Sequence, residues 1–281
     1  MPNLINKDMY MKLTVVGSGS NGNCYVLQNE EEALIIEAGL PFDKKVKETL
    51  HWNVEKIVAV IVSHAHGDHA AYAHQYAELG ITVRASEDTI EKRHLNRTFS
   101  KPYKEGVWFR EGGFEVLPFP LIHYNTDGTR CPNCGFLIKH EDCGRICFFT
   151  DCSAFARDVM TEDGIKYINY DFKDINLWMI EANYDNYILY RSHLDERLKD
   201  RIKRSHMSLQ NAIKIAKRID LHLTTYILLI HLSDGNGDER KFVREMRKAT
   251  GKRVQAAHYG LEIMLLKMIE KYIKTDIKMK R

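Results

Sequence analysis

The chain has 281 residues, 44% hydrophobic and 28% charged, with only 6 prolines and 17 glycines, a balance that excludes a disordered or fibrous protein. Its longest apolar runs, Ile57–Val62 and Tyr226–Ile230, are strand-sized, well short of the ~18 residues of a membrane helix. The opening MPNLINKDMYMKL has no apolar signal-peptide core, so a cytoplasmic protein without a membrane segment is expected. The net charge of +3 divides unevenly: residues 240–281 carry +9 and the remainder −6. A basic C-terminal section can approach a polyanion, or can do no more than solvate helix faces.

In chain order, short strands are expected at Leu13–Val16, Tyr25–Leu27 and Ala33–Ile36, the first two separated by the turn-rich Gly17–Asn23 segment. A helix over Phe42–Leu50 leads to the strand Ile57–Val62, then a helix from about His69 to Leu79 and a strand at Ile81–Arg84. Strands follow near Glu115–Leu117, in a hairpin of Gly135–His140 and Arg145–Thr150, and at Leu177–Ile180. Ser208 reads as the N-cap of a helix with Ala212, Ile215, Ala216 and Ile219 on one face. The strand Thr225–Ile230, a helix over Glu239–Thr250, a short strand near Val254–Ala256 and a final helix over Leu261–Lys271 complete the pattern. With no repeat or linker, one domain over residues 1–281 is expected, residues 1–10 forming an extension and basic helices occupying 239–281.

Six cysteines suit a reducing compartment. Cys131, Cys134, Cys143 and Cys147 have a ribbon-like spacing, but Cys143 falls at the hairpin tip and Cys131 and Cys134 near its base, ~20 Å apart at ~3.3 Å per strand residue. One zinc cannot gather thiolates so spread, which leaves a local Cys131–Cys134 clamp as the alternative.

The strand Ile57–Val62 ends in Ser63-His64-Ala65-His66-Gly67-Asp68-His69, an HxHxDH motif with four metal-ligand side chains in six residues. His64 and His66 can share a face, and Gly67 permits a turn that swings Asp68 and His69 toward a second ion. Imidazole with carboxylate suits zinc, manganese or iron better than calcium. Four residues cannot complete two coordination shells, so further ligands are expected at other strand ends. His123 after Leu121-Ile122, Asp151 after Ile146–Thr150 and His231 after Thr225–Ile230 qualify.

With these residues the sequence resembles the metallo-β-lactamase superfamily of hydrolases. The GSGSNGNCYVL and IIEAG segments are similar to its opening strands, and SGSNGN, EANYD (Glu181–Asp185) and the HMS and HLS pair resemble the YycJ/WalJ-type nucleases. The HMS and HLS pair is also similar to RNase Z. The resemblance implies an α+β, four-layer αββα sandwich. It implies two divalent metal ions, zinc or manganese, on His64, His66 and His123 and on Asp68, His69 and His231, with Asp151 bridging. Asp68 and His206 are the implied catalytic residues, His206 protonating the leaving oxygen. Glu37 stands behind the ligands where the family usually has Asp, and Tyr184 where relatives often have His. The implied reaction is phosphodiester hydrolysis by a hydroxide shared between the two ions. The basic 240–281 section and Arg191, Arg197, Arg201, Lys203 and Arg204 ahead of His206 favour a nucleic-acid partner; that it is DNA before RNA, and the enzyme an exonuclease, is what the resemblance implies. The alternatives are a hydrolase of small cyclic or nucleotide phosphodiesters, and a non-catalytic nucleic-acid-binding module, which would lack a ligand.

Overall fold

Apolar segments separated by turns leave the first third of the chain little choice but to pair. Strands β1 (Tyr10–Gly17), β2 (Cys24–Gln28) and β3 (Ala33–Ile36) form an antiparallel meander, nearly all of it buried. The structure, a computed structural model, describes residues 10–162 and 164–266. Helix α1 (Lys44–Thr49), capped by the Asp43 side chain on the Lys45 amide, crosses to β4 (Ile57–Ile61), parallel to β3. Helices α2 (Gly67–Ala70) and α3 (Ala73–Glu78) lead to β5 (Val83–Ala85), and α4 (Glu87–Lys92) leads to β6 (Ser100–Pro102). The second half begins with β7 (Phe109–Glu111), β8 (Phe114–Leu121), β9 (Asn133–His140) and β10 (Gly144–Phe149). A separate hairpin, β11 (Ala156–Thr161) with β12 (Gly164–Asn169), precedes β13 (Leu177–Glu181). Three helices follow, α5 (Asn186–Arg191), α6 (Glu196–Ser205) and α7 (Leu209–Arg218), then β14 (Tyr226–Ile230), α8 (Glu239–Thr250), β15 (Arg253–Ala256) and β16 (Glu262–Leu266).

The strands assemble into two seven-stranded sheets, ordered β16-β1-β2-β3-β4-β5-β6 and β15-β14-β13-β10-β9-β8-β7. Their facing sides bury Leu13, Tyr25, Phe136, Phe148, Met179 and Leu228, each side chain of this kind contributing ~1.5–3 kcal/mol. Outside the first sheet, Val46, Tyr76 and Ile90 of α1, α3 and α4 cover Ile35, Val60 and Val62. Outside the second, Ala212 and Ile215 of α7 and Phe242 and Met246 of α8 cover Trp178, Ile180 and Ile227. The molecule is therefore the four-layer αββα sandwich of the metallo-β-lactamase fold. Strands β10, β13, β14 and β15 run parallel, as do β3, β4, β5 and β6. Their carboxyl ends gather at one rim of the sandwich, where polar side chains can leave the core without breaking a strand.

Several expectations need correction. The final helix expected over Leu261–Lys271 is, as far as Leu266, the strand β16, which alternates exposed and buried residues and pairs with β1; residues 267–281 lie outside the described residues. The basic section 239–281 thus contributes one described helix, α8. Residues 1–9 of the expected extension also lie outside, while Tyr10 already belongs to β1. The helix expected over His69–Leu79 is broken at Ala71–Tyr72, where the Tyr72 amide donates to the Ala38 carbonyl (2.9 Å). Strand β8 runs on past Leu117 through Pro118 and Pro120, because β7 pairs with it only as far as Val116 and the free edge needs no donor there.

Candidate metal centre

All seven expected ligands come from carboxyl ends of strands or the turns after them, and the structure brings them together. Their donor atoms form two groups, His64, His66, His123 and Asp151 in one and Asp68, His69, Asp151 and His231 in the other, each group within 4.8 Å. Asp151 belongs to both. Its Oδ2 lies 3.8 Å from His64 Nε2 and 3.9 Å from His123 Nε2, and its Oδ1 lies 3.2 Å from His69 Nε2 and 3.4 Å from His231 Nε2. Asp68 Oδ2 closes the second group at 3.3 Å from His69 Nε2 and 3.0 Å from His231 Nε2.

The hydrogen bonds behind the rings test whether a cation fits. The carbonyl of Ser205 lies 3.2 Å from His123 Nδ1 and can only accept, so Nδ1 carries the proton. Asn125 commits Nδ2 to Thr129 Oγ1 and the Arg130 carbonyl, which leaves Oδ1 to accept from His66 Nε2 at 3.0 Å. The other nitrogens, His66 Nδ1 and His123 Nε2, then face each other across 3.1 Å. Burial holds His123 neutral, its pKa pushed down to about 3. His64 Nε2 is buried with no hydrogen-bond partner, while its Nδ1 sits 2.9 Å from Ser63 Oγ. A proton could bridge the first pair alone; a divalent cation satisfies all three imidazoles and the Asp151 oxygen at once.

Charge in the second group is strongly polarised. Burial pushes the Asp151 carboxyl up, but His231, His69 and His206 overcome it and hold the group well below the usual carboxylate range. Burial likewise opposes the charge on His69, yet Asp151, Asp68 and Glu37 hold that ring well above the ordinary histidine value. Glu37, fully buried, accepts from the Ser63 amide at 3.3 Å and places Oε1 3.5 Å from His69 Nδ1. It therefore stands behind a ligand.

Backbone strain marks the same places. Glu37, Asp151 and His231 have φ of 68°, 48° and 55°, in the left-handed region that costs a non-glycine residue ~1–3 kcal/mol. Each is pinned. The Glu37 amide donates to the Ile61 carbonyl, Asn133 Nδ2 donates to the Asp151 carbonyl, and the His231 amide donates to Ser18 Oγ. The Gly17–Asn23 turn thus has a role that its sequence did not disclose. Asn23 binds the Asp68 carbonyl through its amide at 2.8 Å and its Nδ2 at 3.1 Å, and Ser18 holds His231.

His206 follows α6 and places Nδ1 2.8 Å from Glu181 Oε1, at the end of β13. Burial pushes this imidazole's pKa down, but Asp151 and Glu181 outweigh it and lift the value to about 9. Glu181 also accepts from the Cys152 amide at 2.9 Å. Sequence reasoning places Glu181 within EANYD without a role, although the acid ends the apolar run Leu177–Ile180 as the other strand-end residues do. It misses Asn125, Asn183 and Ser205 as well; Asn183 Nδ2 lies 3.1 Å from His231 Nδ1. Tyr184 is buried and its backbone bridges Ser208, outside the ligand groups.

The centre opens into a cleft of about 210 Å³ lined by His66, Asp68, His123, Asp151 and His206 with Ser20, Tyr124, Thr126, Arg201 and Ser205. A larger cavity, about 680 Å³, lies around the β9–β10 turn at the opposite rim and is lined by none of these residues. All six cysteines are free and buried, and among the described residues none joins a cluster of candidate ligands. Among the described residues no helix is long and apolar enough to cross a membrane.

Residues 17–145 match the family model described as the metallo-beta-lactamase superfamily. The fold is the one that bears this superfamily's name, and the matched segment spans a little under half of the chain. The chain is 26% identical over 241 residues to the exodeoxyribonuclease WalJ of Streptococcus pneumoniae, covering 80% of this chain and 82% of that protein. It is 25% identical over 243 residues to the exodeoxyribonuclease YycJ of Bacillus anthracis, covering 81% and 84%. Among solved structures, the metallo-beta-lactamase fold protein YhfI of Bacillus subtilis superposes with a TM-score of 0.64 at 20% identity, covering 91% of this chain and 99% of that one. These are distant relatives within one fold.

Proposed function

We propose that the chain is a two-metal phosphodiesterase that hydrolyses nucleic-acid strands, DNA by preference and from an end. The observation that carries the reading is the single Asp151 carboxylate, one oxygen turned to each of two histidine-rich donor groups. His64, His66 and His123 would hold one cation and Asp68, His69 and His231 the other, with Asp151 shared; zinc and manganese both suit this donor set. When bound, such a pair polarises a phosphoryl oxygen and acidifies water enough for attack at neutral pH.

The chain's own residues supply the remainder. Glu181 accepts the hydrogen bond from His206 Nδ1–H, which fixes the ring and leaves Nε2 to donate to the oxygen leaving the phosphorus. Glu37 orients His69 from behind, and Asn125 and the Ser205 carbonyl orient His66 and His123. Arg201 brings a positive charge into the cleft where a phosphate would lie. Support for a DNA substrate comes from the WalJ and YycJ relatives, both described as exodeoxyribonucleases, whose likeness spans most of both chains.

The test is cleavage of single- and double-stranded DNA and RNA labelled at the 5′ or 3′ end, by metal-stripped protein and by protein given manganese or zinc. Metal-dependent release from one labelled end of DNA, absent in Asp151→Asn, is expected. Turnover of a cyclic or nitrophenyl nucleotide diester with every polymer left intact would overturn the polymer reading in favour of a small-diester hydrolase.

A further inference from the structure

We infer that the exposed arginine stripe of α6, Arg197, Arg201 and Arg204, is the track along which the phosphates of a single nucleic-acid strand leave the cleft, with Arg201 on the phosphate nearest the scissile bond. The inference rests on the nuclease reading and states where the polymer runs. At ~100° per residue these three side chains fall within ~60° of one another on the helix, and successive turns space them by ~4.5–6 Å along its axis. All three are exposed.

The acidic residues of α6 lie beside the stripe, Asp200 ~40° from Arg204 around the helix, and are already used. Asp200 pairs with Lys203 at 3.4 Å and Glu196 with Lys199 at 3.1 Å. Among the described residues, no carboxylate lies within ion-pair distance of Arg197, Arg201 or Arg204, and Arg204 bonds only the Asp200 carbonyl. Three fixed charges without counter-ions attract a polyanion, and their spacing follows one strand rather than a compact ligand.

The stripe is also joined to the chemistry. Arg201 lines the same cleft as His66, Asp68, Asp151 and His206. One turn on, Ser205 anchors the end of α6 by its carbonyl on His123 Nδ1 and its hydroxyl on the Tyr124 carbonyl. The rival basic element is more fully engaged. On α8, Lys241 pairs with Asp185 at 2.8 Å, Arg244 with Glu245 at 3.1 Å, and Arg247 donates to the Val254 carbonyl at 2.8 Å. Arg240 and Lys248 of α8 remain as a two-charge control.

The experiment measures binding of a fluorescent single-stranded DNA with a phosphorothioate backbone, which resists hydrolysis, to the metal-loaded full chain across a series of salt concentrations. For the triple variant Arg197→Gln, Arg201→Gln, Arg204→Gln, affinity at physiological salt is expected to fall at least tenfold. The slope of log affinity against log salt is expected to shrink by about 2, at ~0.7 for each phosphate no longer neutralised. The triple Arg→Lys variant restores the slope, since it restores the charge, and Arg240→Gln with Lys248→Gln leaves it unchanged. A wild-type slope in the Gln triple variant, or an equal loss in the α8 variant, overturns the α6 track while leaving the nuclease reading intact. Failure of the wild-type chain to bind any strand at low salt overturns the nuclease reading, and the track with it.

Discussion

Asp151 concentrates the consequences of the site in one carboxylate, and the residues behind it decide how well that carboxylate can be used. Glu181 is fully buried and bonded to both His206 and the Cys152 amide, so Glu181→Gln preserves shape and removes charge. Turnover of a substrate with a sugar leaving oxygen is expected to fall by about 10²-fold or more, the range for loss of general acid catalysis. Turnover of a nitrophenyl diester, whose leaving group needs no proton, falls far less. Equal losses on both substrates would show that Glu181 and His206 do not act on the leaving oxygen. Glu37 acts on a ligand instead of the substrate. Glu37→Gln is expected to weaken metal binding about 10–100-fold in an equilibrium titration, as loss of a residue that orients a ligand does. Unchanged affinity would remove Glu37 from the site.

Among the elements, the turn from β4 into α2 is positioned by the backbone of the loop that follows β3. The Ala38 amide donates to the His69 carbonyl at 2.8 Å, and a Cβ on Gly39 would sit 1.8 Å from the Asp68 carbonyl oxygen. Gly39→Ala is therefore expected to displace the Asp68–His69 turn and lose the second metal before the first, at a cost of about 2–3 kcal/mol in denaturant unfolding. Retention of both metals and full stability would contradict that packing. The legibility of each element follows the same division between local and distant causes. HxHxDH is readable because its four ligands share one turn, and His123, Asp151 and His231 because each is polar where an apolar strand ends. Glu181 obeys that rule too, but inside EANYD it carries no mark of its partner His206, 25 residues on. Asn125 and Ser205 matter only through rings that tertiary folding brings near. Strand β16 reads wrongly as helix because a run as short as Glu262–Leu266 has no period of its own, and its state is set by pairing with β1, about 250 residues earlier.

For the whole molecule, the two sheets are joined where the metals would sit, since β4 and the Asp68–His69 turn belong to the first sheet and β8, β10 and β14 lead into the other ligands. Cations bound only by the folded chain add about RT ln(1 + [L]/Kd) to stability, ~2.7 kcal/mol at a hundredfold excess over Kd. A chelator is therefore expected to lower the melting temperature by several degrees, and added zinc or manganese to restore it. An unchanged Tm would separate the ligands from the join between the sheets.

The most direct measurement of the central claim is the number of divalent cations bound by the metal-stripped chain, by titration with elemental analysis, beside His64→Ala and Asp151→Asn. Two ions are predicted for the wild-type chain, one for His64→Ala, and weakened binding of both for Asp151→Asn. A single ion in the wild-type chain, or two ions bound as tightly without the Asp151 carboxylate, would contradict it.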